Sequence, residues 1–168
     1  TCRQAFGGGE VTWRADVGIL DCRVQHCVAL TFDDGPGADT PRLLDILDQS
    51  GAQATFFVLG NRVAGNEGVL QRADGEFHDV GVHAMTHTPL VDLDAAAQQA
   101  DWSDAVALVS GALGHPVHYG RPPYGLHDAN TDATAAAAGL ELRWWDVDSL
   151  DWSLLNSQAV IDLVMGTV

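Results

Sequence analysis

The stretch Val28-Ala29-Leu30-Thr31-Phe32-Asp33-Asp34-Gly35-Pro36 is a short apolar run that breaks on two carboxylates and a Gly-Pro turn signal. Residues 28–32 have the length and composition of a buried strand, and the turn ends it. Working outward, the same alternation recurs. Residues 41–49 set Leu43, Leu44 and Leu47 on one helical face, with Gly51 placed to cap it. Residues 54–59 (ATFFVL) form the next strand pattern, 67–73 a short helix, and 79–82 a strand that delivers His83. Asp94 caps a longer helix running to about Leu113, with Trp102, Ala105, Val106 and Val109 at helical spacing. A rigid turn, Arg121-Pro122-Pro123-Tyr124-Gly125, follows. Residues 131–138 then read as helix, 142–147 as strand and 159–165 as a final helix.

Strands alternating with helices imply right-handed βαβ units and a largely parallel sheet. Each polar cluster lies just after a strand: Asp33-Asp34, His83 to His87, Arg121 to Tyr124, and Asp148 to Asp151. In a (β/α) barrel the C-terminal strand ends converge on one face, where active sites lie. A barrel therefore gathers these four clusters, and scattered surface polarity does not account for their shared placement. No internal repeat or low-complexity linker divides the chain. An irregular segment, residues 1–27 with a Gly7-Gly8-Gly9 run, precedes one domain over 28–168.

With 168 residues the chain is long enough for one domain with a proper core. Its 8 basic and 23 acidic residues give a net charge of −15, which disfavours nucleic acid and any polyanion held by charge. No apolar stretch reaches the length of a membrane span. The N-terminus lacks the basic and apolar regions of a signal peptide, so a removed leader is the expectation. Cys2, Cys22 and Cys27 lack the spacing of a zinc or redox site and read as structural. Cys22 and Cys27 flank a loop that a disulfide could close in an oxidising compartment, with the pairing left open.

Asp33 and Asp34 are adjacent at a strand end, where side chains diverge, so one can bind a cation while the other faces substrate or water. His83 and His87 lie four apart, on one face of a helix or gathered by a tight loop. Two imidazoles and a carboxylate supply three protein ligands and leave positions open for water and substrate. His26, His78, His115 and His118 show no such arrangement and read as surface or packing residues.

Taken together these segments resemble the polysaccharide deacetylase family (NodB homology, carbohydrate esterase family 4). Thr31-Phe32-Asp33-Asp34-Gly35-Pro36 is similar to its first signature and His83-Ala84-Met85-Thr86-His87 to its second. Arg121-Pro122-Pro123-Tyr124-Gly125 resembles the third, and Asp146-Val147-Asp148-Ser149-Leu150-Asp151-Trp152 the fourth. The resemblance implies a distorted, incomplete (β/α) barrel and removal of acetyl groups from N- or O-acetylated polysaccharide. It implies a divalent metal, zinc or cobalt, on Asp34, His83 and His87, with Asp33 as general base. Arg121 would orient Asp33, and the backbone N–H of Tyr124 would stabilise the oxyanion. Trp152 would wall the acetyl pocket, and Asp148, with Asp151 as second candidate, would tether the imidazole of a general acid. A secreted or cell-surface monomer acting on chitin, chitooligosaccharide, peptidoglycan or acetylxylan follows from the same resemblance.

The sequence departs from the pattern in three places. No Leu-His pair follows Trp152, so the expectation is a chain cut short at its C-terminus. Leu126-His127-Asp128 spells those letters directly after the third signature, where an exposed loop histidine is the simpler reading. Ala84 replaces a hydroxyl residue after the first ligand histidine, and Gly120 stands where an aromatic often precedes the third signature. A weakly catalytic carbohydrate-binding homologue and a hydrolase of small linear amides are the competing expectations.

Overall fold

The computed structural model describes residues 28–154 and 156–168. Expectations for residues 1–27, including the three cysteines, lie outside the described residues. Five strands are described: β1 (Leu30–Gly35), β2 (Ala54–Val58), β3 (Asp79–Val82), β4 (Tyr119–Gly120) and β5 (Glu141–Leu142). Between and after them come α1 (Thr40–Gln49), α2 (Glu67–Gly75), α3 (Ala95–Leu113), α4 (Ala129–Ala137), α5 (Asp151–Leu154) and α6 (Ser157–Thr167). The strands lie in the order β1-β2-β3-β4-β5, every neighbouring pair parallel. That unbroken order is the winding of a (β/α) barrel and not of a doubly wound sheet, in which the order reverses. The α/β fold with a parallel, incomplete barrel is the one expected from the sequence.

Alternation along β2 divides its side chains between two environments. Ala54, Phe56 and Val58 join the helix-packed core with Leu44 and Leu47 of α1, Leu70 and Ala73 of α2, and Trp102, Ala105 and Val109 of α3. Phe57, equally buried, falls on the opposite face, where the Arg121 guanidinium rests 4.2 Å above its ring. The sheet thus has a hydrocarbon side towards the helices and an inner side that holds charge.

Asp94 caps α3 as its position predicts, its carboxylate accepting the Ala97 N–H at 2.9 Å, and Gly114 closes the helix at φ 80°. Two strands differ from the sequence reading. β4 spans only two residues and gives no periodic signal. β5 stops at Leu142 instead of running to Val147. Its neighbour ends at Gly120 because Pro122 and Pro123 have no N–H to continue a ladder. The carbonyls after Leu142 turn to another donor: Arg143 and Trp144 accept from the Arg121 side chain at 3.2 and 3.1 Å.

Candidate metal and catalytic site

The site forms at the C-terminal ends of β1, β3 and β4. In a regular strand Asp33 and Asp34 would face opposite ways. Register between β1 and β2 shifts between Phe32 and Gly35, and Asp34 takes a left-handed backbone (φ 65°) that aspartate tolerates better than most residues. The irregularity brings both carboxylates towards one imidazole: Asp34 Oδ1 lies 3.6 Å and Asp33 Oδ2 4.0 Å from His83 Nε2. Asp33 and Asp34 therefore diverge less than simple alternation predicts.

His83 extends β3 by one residue, its N–H donating to the Val58 carbonyl at 2.7 Å. Its side chain is buried, and Nδ1 donates to the Arg121 carbonyl at 2.7 Å. A carbonyl can only accept, so this bond fixes the proton on Nδ1 and leaves the Nε2 lone pair facing Asp34. Burial pushes the His83 pKa down, outweighing the pull of the Asp33 carboxylate upwards, which favours the neutral form a metal ligand needs.

The segment from His83 to His87 is a tight loop, not a helix. Ala84 sits wholly buried in the left-handed region at φ 66°. The loop is tied on two sides. Gly60 and Asn61 N–H groups donate to the Ala84 and Met85 carbonyls at 3.0 and 2.9 Å, while Met85 N–H donates to Asp101 Oδ1 at 2.6 Å. His87 Nε2 then lies 3.4 Å from Asp34 Oδ1, with its ring edge-on to Tyr124 at 4.3 Å.

Donor atoms of Asp34, His83 and His87 all lie within 4.8 Å of one another. Ligands about 2.0–2.2 Å from one ion in tetrahedral or octahedral array stand roughly 3.0–3.6 Å apart. The 3.4 and 3.6 Å separations match that spacing, and a carboxylate with two neutral imidazoles is a donor set suited to zinc or its neighbours. The residues present fit the group.

Arg121 follows β4, its N–H donating to the Val82 carbonyl at 2.9 Å. Its guanidinium is almost fully buried and donates to Asp33 Oδ1 at 2.7 Å, Thr31 Oγ1 at 2.9 Å, and the two carbonyls beyond β5. Burial lowers its pKa, and the Asp33 carboxylate offsets only part of that fall. A guanidinium so placed stays charged. Asp33 is thereby held by one oxygen, with the other turned to the His83 side.

Tyr124 adopts φ 59° in the short 3-10 turn Pro123–Gly125. That turn is closed by Gly125 and Leu126 N–H groups donating to the Pro122 and Pro123 carbonyls. Its own N–H donates to no described residue outside the turn. Gly125 (φ 67°) permits close approach, since a Cβ there would stand 2.8 Å from the Trp145 ring.

Asp33, Asp34, His83, His87, Arg121 and Tyr124 are thus brought together. Asp148 and Trp152 make no hydrogen bond or ion pair to them among the described residues. Asp148 accepts the Leu150 N–H at 3.0 Å, closing a surface turn, and Trp152 on α5 is 73 % exposed. His127 lies on the surface with Nδ1 2.8 Å from Asp132 Oδ1 and its ring against Trp144. Asp101, Gly60 and Asn61 were not apparent from the sequence: a helix aspartate and two turn residues carry no motif.

The model of the polysaccharide deacetylase family matches residues 21–142. A chitin deacetylase from Pestalotiopsis sp. is 36 % identical over 80 % of this chain and 46 % of its own length. A chitooligosaccharide deacetylase from Bradyrhizobium sp. is 36 % identical over 84 % of this chain and 65 % of its own length. This chain therefore spans less than two thirds of either relative. Among solved structures, that of the T48 deacetylase with substrate superposes with a TM-score of 0.83 at 37 % identity, over 89 % of this chain and 73 % of that one.

Proposed function

The chain belongs to the polysaccharide deacetylase family, carbohydrate esterase family 4, and from that premise we propose a metal-dependent hydrolase that removes acetyl groups from an acetylated polysaccharide. One observation carries the reading. Three donors at metal-ligand spacing, Asp34, His83 and His87, stand beside a carboxylate, Asp33, that a buried arginine holds in one orientation.

A divalent cation held by Asp34, His83 and His87, zinc in our reading, would supply Lewis acidity, polarising the acetyl carbonyl and making water more acidic. Asp33 acts as the base. Its Oδ1 is committed to Arg121, so Oδ2, facing His83, takes the proton from the attacking water. Arg121 keeps that carboxylate from rotating, because its other donors are anchored on Thr31 and two carbonyls. The Tyr124 N–H donates to the oxygen on which negative charge develops, and the His87 contact fixes the ring that follows it.

The names of the relatives support chitin, chitooligosaccharide or peptidoglycan as the substrate class. Tyr124, Trp144 and Trp145 add exposed aromatic surface near the site on which sugar rings can stack. Chitin and peptidoglycan lie outside the cytoplasm, and a secreted or cell-surface protein is the location this substrate class favours. Among the described residues no helix is long and apolar enough to cross a membrane.

The test is acetate release from chitooligosaccharides, peptidoglycan and acetylxylan, with and without chelator. We expect release that the chelator abolishes and zinc restores. Sugar binding without metal-dependent acetate release would favour a carbohydrate-binding homologue and sink the hydrolase reading. Release confined to small acetanilide-type amides would move the substrate to that class.

A further inference from the structure

We propose that Asp101 is a positioning residue for the metal-ligand loop, fixing through one hydrogen bond the separation at which His83 and His87 present their imidazoles. The proposal rests on the metal-site reading above and adds a residue from a helix that carries no ligand.

Asp101 lies on α3, outside the loop it holds. Its Oδ1 accepts from Met85, the middle residue between the two histidines, at 2.6 Å. A carboxylate acceptor makes this one of the stronger hydrogen bonds of the site. Met85 is consequently engaged at both backbone groups, its N–H by Asp101 and its carbonyl by Asn61, while Gly60 holds the Ala84 carbonyl. The two N–H donors pull on carbonyls from the turn after β2. Asp101 alone, among the described residues, pulls on an N–H from the α3 side.

These opposed tethers surround Ala84, whose left-handed backbone persists only where the surroundings over-determine it. A hydroxyl residue at position 84 could have braced the loop internally; alanine cannot, and the bracing falls to α3. Packing leaves no slack there. A Cβ at Gly60 would stand 2.5 Å from Met85 Sδ and 3.1 Å from the Ala105 backbone, so turn, loop and helix meet at one point. Burial raises the Asp101 pKa, and the Met85 N–H opposes that rise. The carboxyl is thus kept in a partly desolvated place where its main described contact is the loop.

Outer-shell partners of metal ligands typically govern affinity by about 10–100-fold when removed. The experiment measures zinc affinity by competition with a chromophoric chelator, and the visible spectrum of the cobalt(II)-loaded protein, for wild type, D101A, D101N and V109A. D101N retains an Oδ1 acceptor. Val109, buried in the core two turns further along α3, has no side-chain polar group to bond the loop, so V109A reports general destabilisation without loss of a tether. We expect D101A to lose about 10–100-fold in zinc affinity and to shift the cobalt band. D101N should stay close to wild type, and V109A should unfold at lower temperature with affinity unchanged.

Wild-type affinity in D101A, equal loss in D101N, or equal loss in V109A would each overturn the proposal. A wild-type protein without measurable zinc affinity would overturn the site reading and this proposal with it. Tight binding by both wild type and D101A would overturn only the role of Asp101.

Discussion

At the scale of single residues, the proposed function divides labour between two neighbouring carboxylates. Asp34 points its Oδ1 at both imidazoles, while Asp33 is bound to Arg121 through one oxygen and has the other for its proposed role as base. Substitution should separate the two. Asp33→Asn should leave metal content after dialysis near normal and lower the rate on the order of 10²–10⁴-fold, as loss of a general base does. His87→Ala should lose the metal itself. Metal analysis and acetate release on the same samples test both, and equal metal loss in the two variants would mean that base and ligand are misassigned. The identities at this scale were legible because each sits in a short ordered segment whose neighbours constrain it: Gly35-Pro36 after the aspartates, two prolines after Arg121. What could not be read was the angle between the carboxylates. It depends on a register shift in β1 and a left-handed Asp34, and no periodicity encodes either.

At the scale of elements, legibility followed length. The long helix α3 and its Asp94 cap were evident, because a cap and several turns of apolar spacing reinforce one another. The two-residue strand β4 was not, and β5 was read as running on to Val147. Their limits are set by tertiary partners, the prolines after Arg121 and the guanidinium that collects the carbonyls beyond Leu142. His78, read as a surface or packing residue, is buried and joins two strands: its Nδ1 accepts the Ala54 N–H at 3.2 Å, and its ring meets Phe56 edge-on just before β3 begins. Burial lowers its pKa, so the folded chain binds this proton less readily than the unfolded one. Stability from this group is therefore present above the unfolded value of about 6.5 and is lost as pH falls through it towards the lower folded value. His78→Gln keeps an acceptor for Ala54 and removes the titration. Urea unfolding across this range should show a shallower decline for the variant, and an unchanged slope would assign the pH dependence to other groups.

At the scale of the whole molecule, the proposed ligands lie on strands that do not pair with each other. Asp34 closes β1, His83 and His87 follow β3, and β2, which supplies no ligand, runs between them. A cation bound only by the folded chain stabilises it by mass action, about 2.7 kcal/mol when free metal is 100 times its dissociation constant. Zinc should accordingly raise the melting temperature, chelator should reverse the rise, and H87A should show neither, all readable by scanning calorimetry. The net charge of −15 makes the apo protein self-repelling, so part of any gain from a divalent cation should shrink in added salt. The strand order carries one more consequence. Because the proposed ligands flank β2, a cation held by them would act as a staple across three strands at one end of the sheet, and β4 and β5 carry none of these ligands. With metal bound, amide exchange should therefore slow most in β1, β2 and β3 and least in β5, and equal slowing across all five strands would rule the staple out.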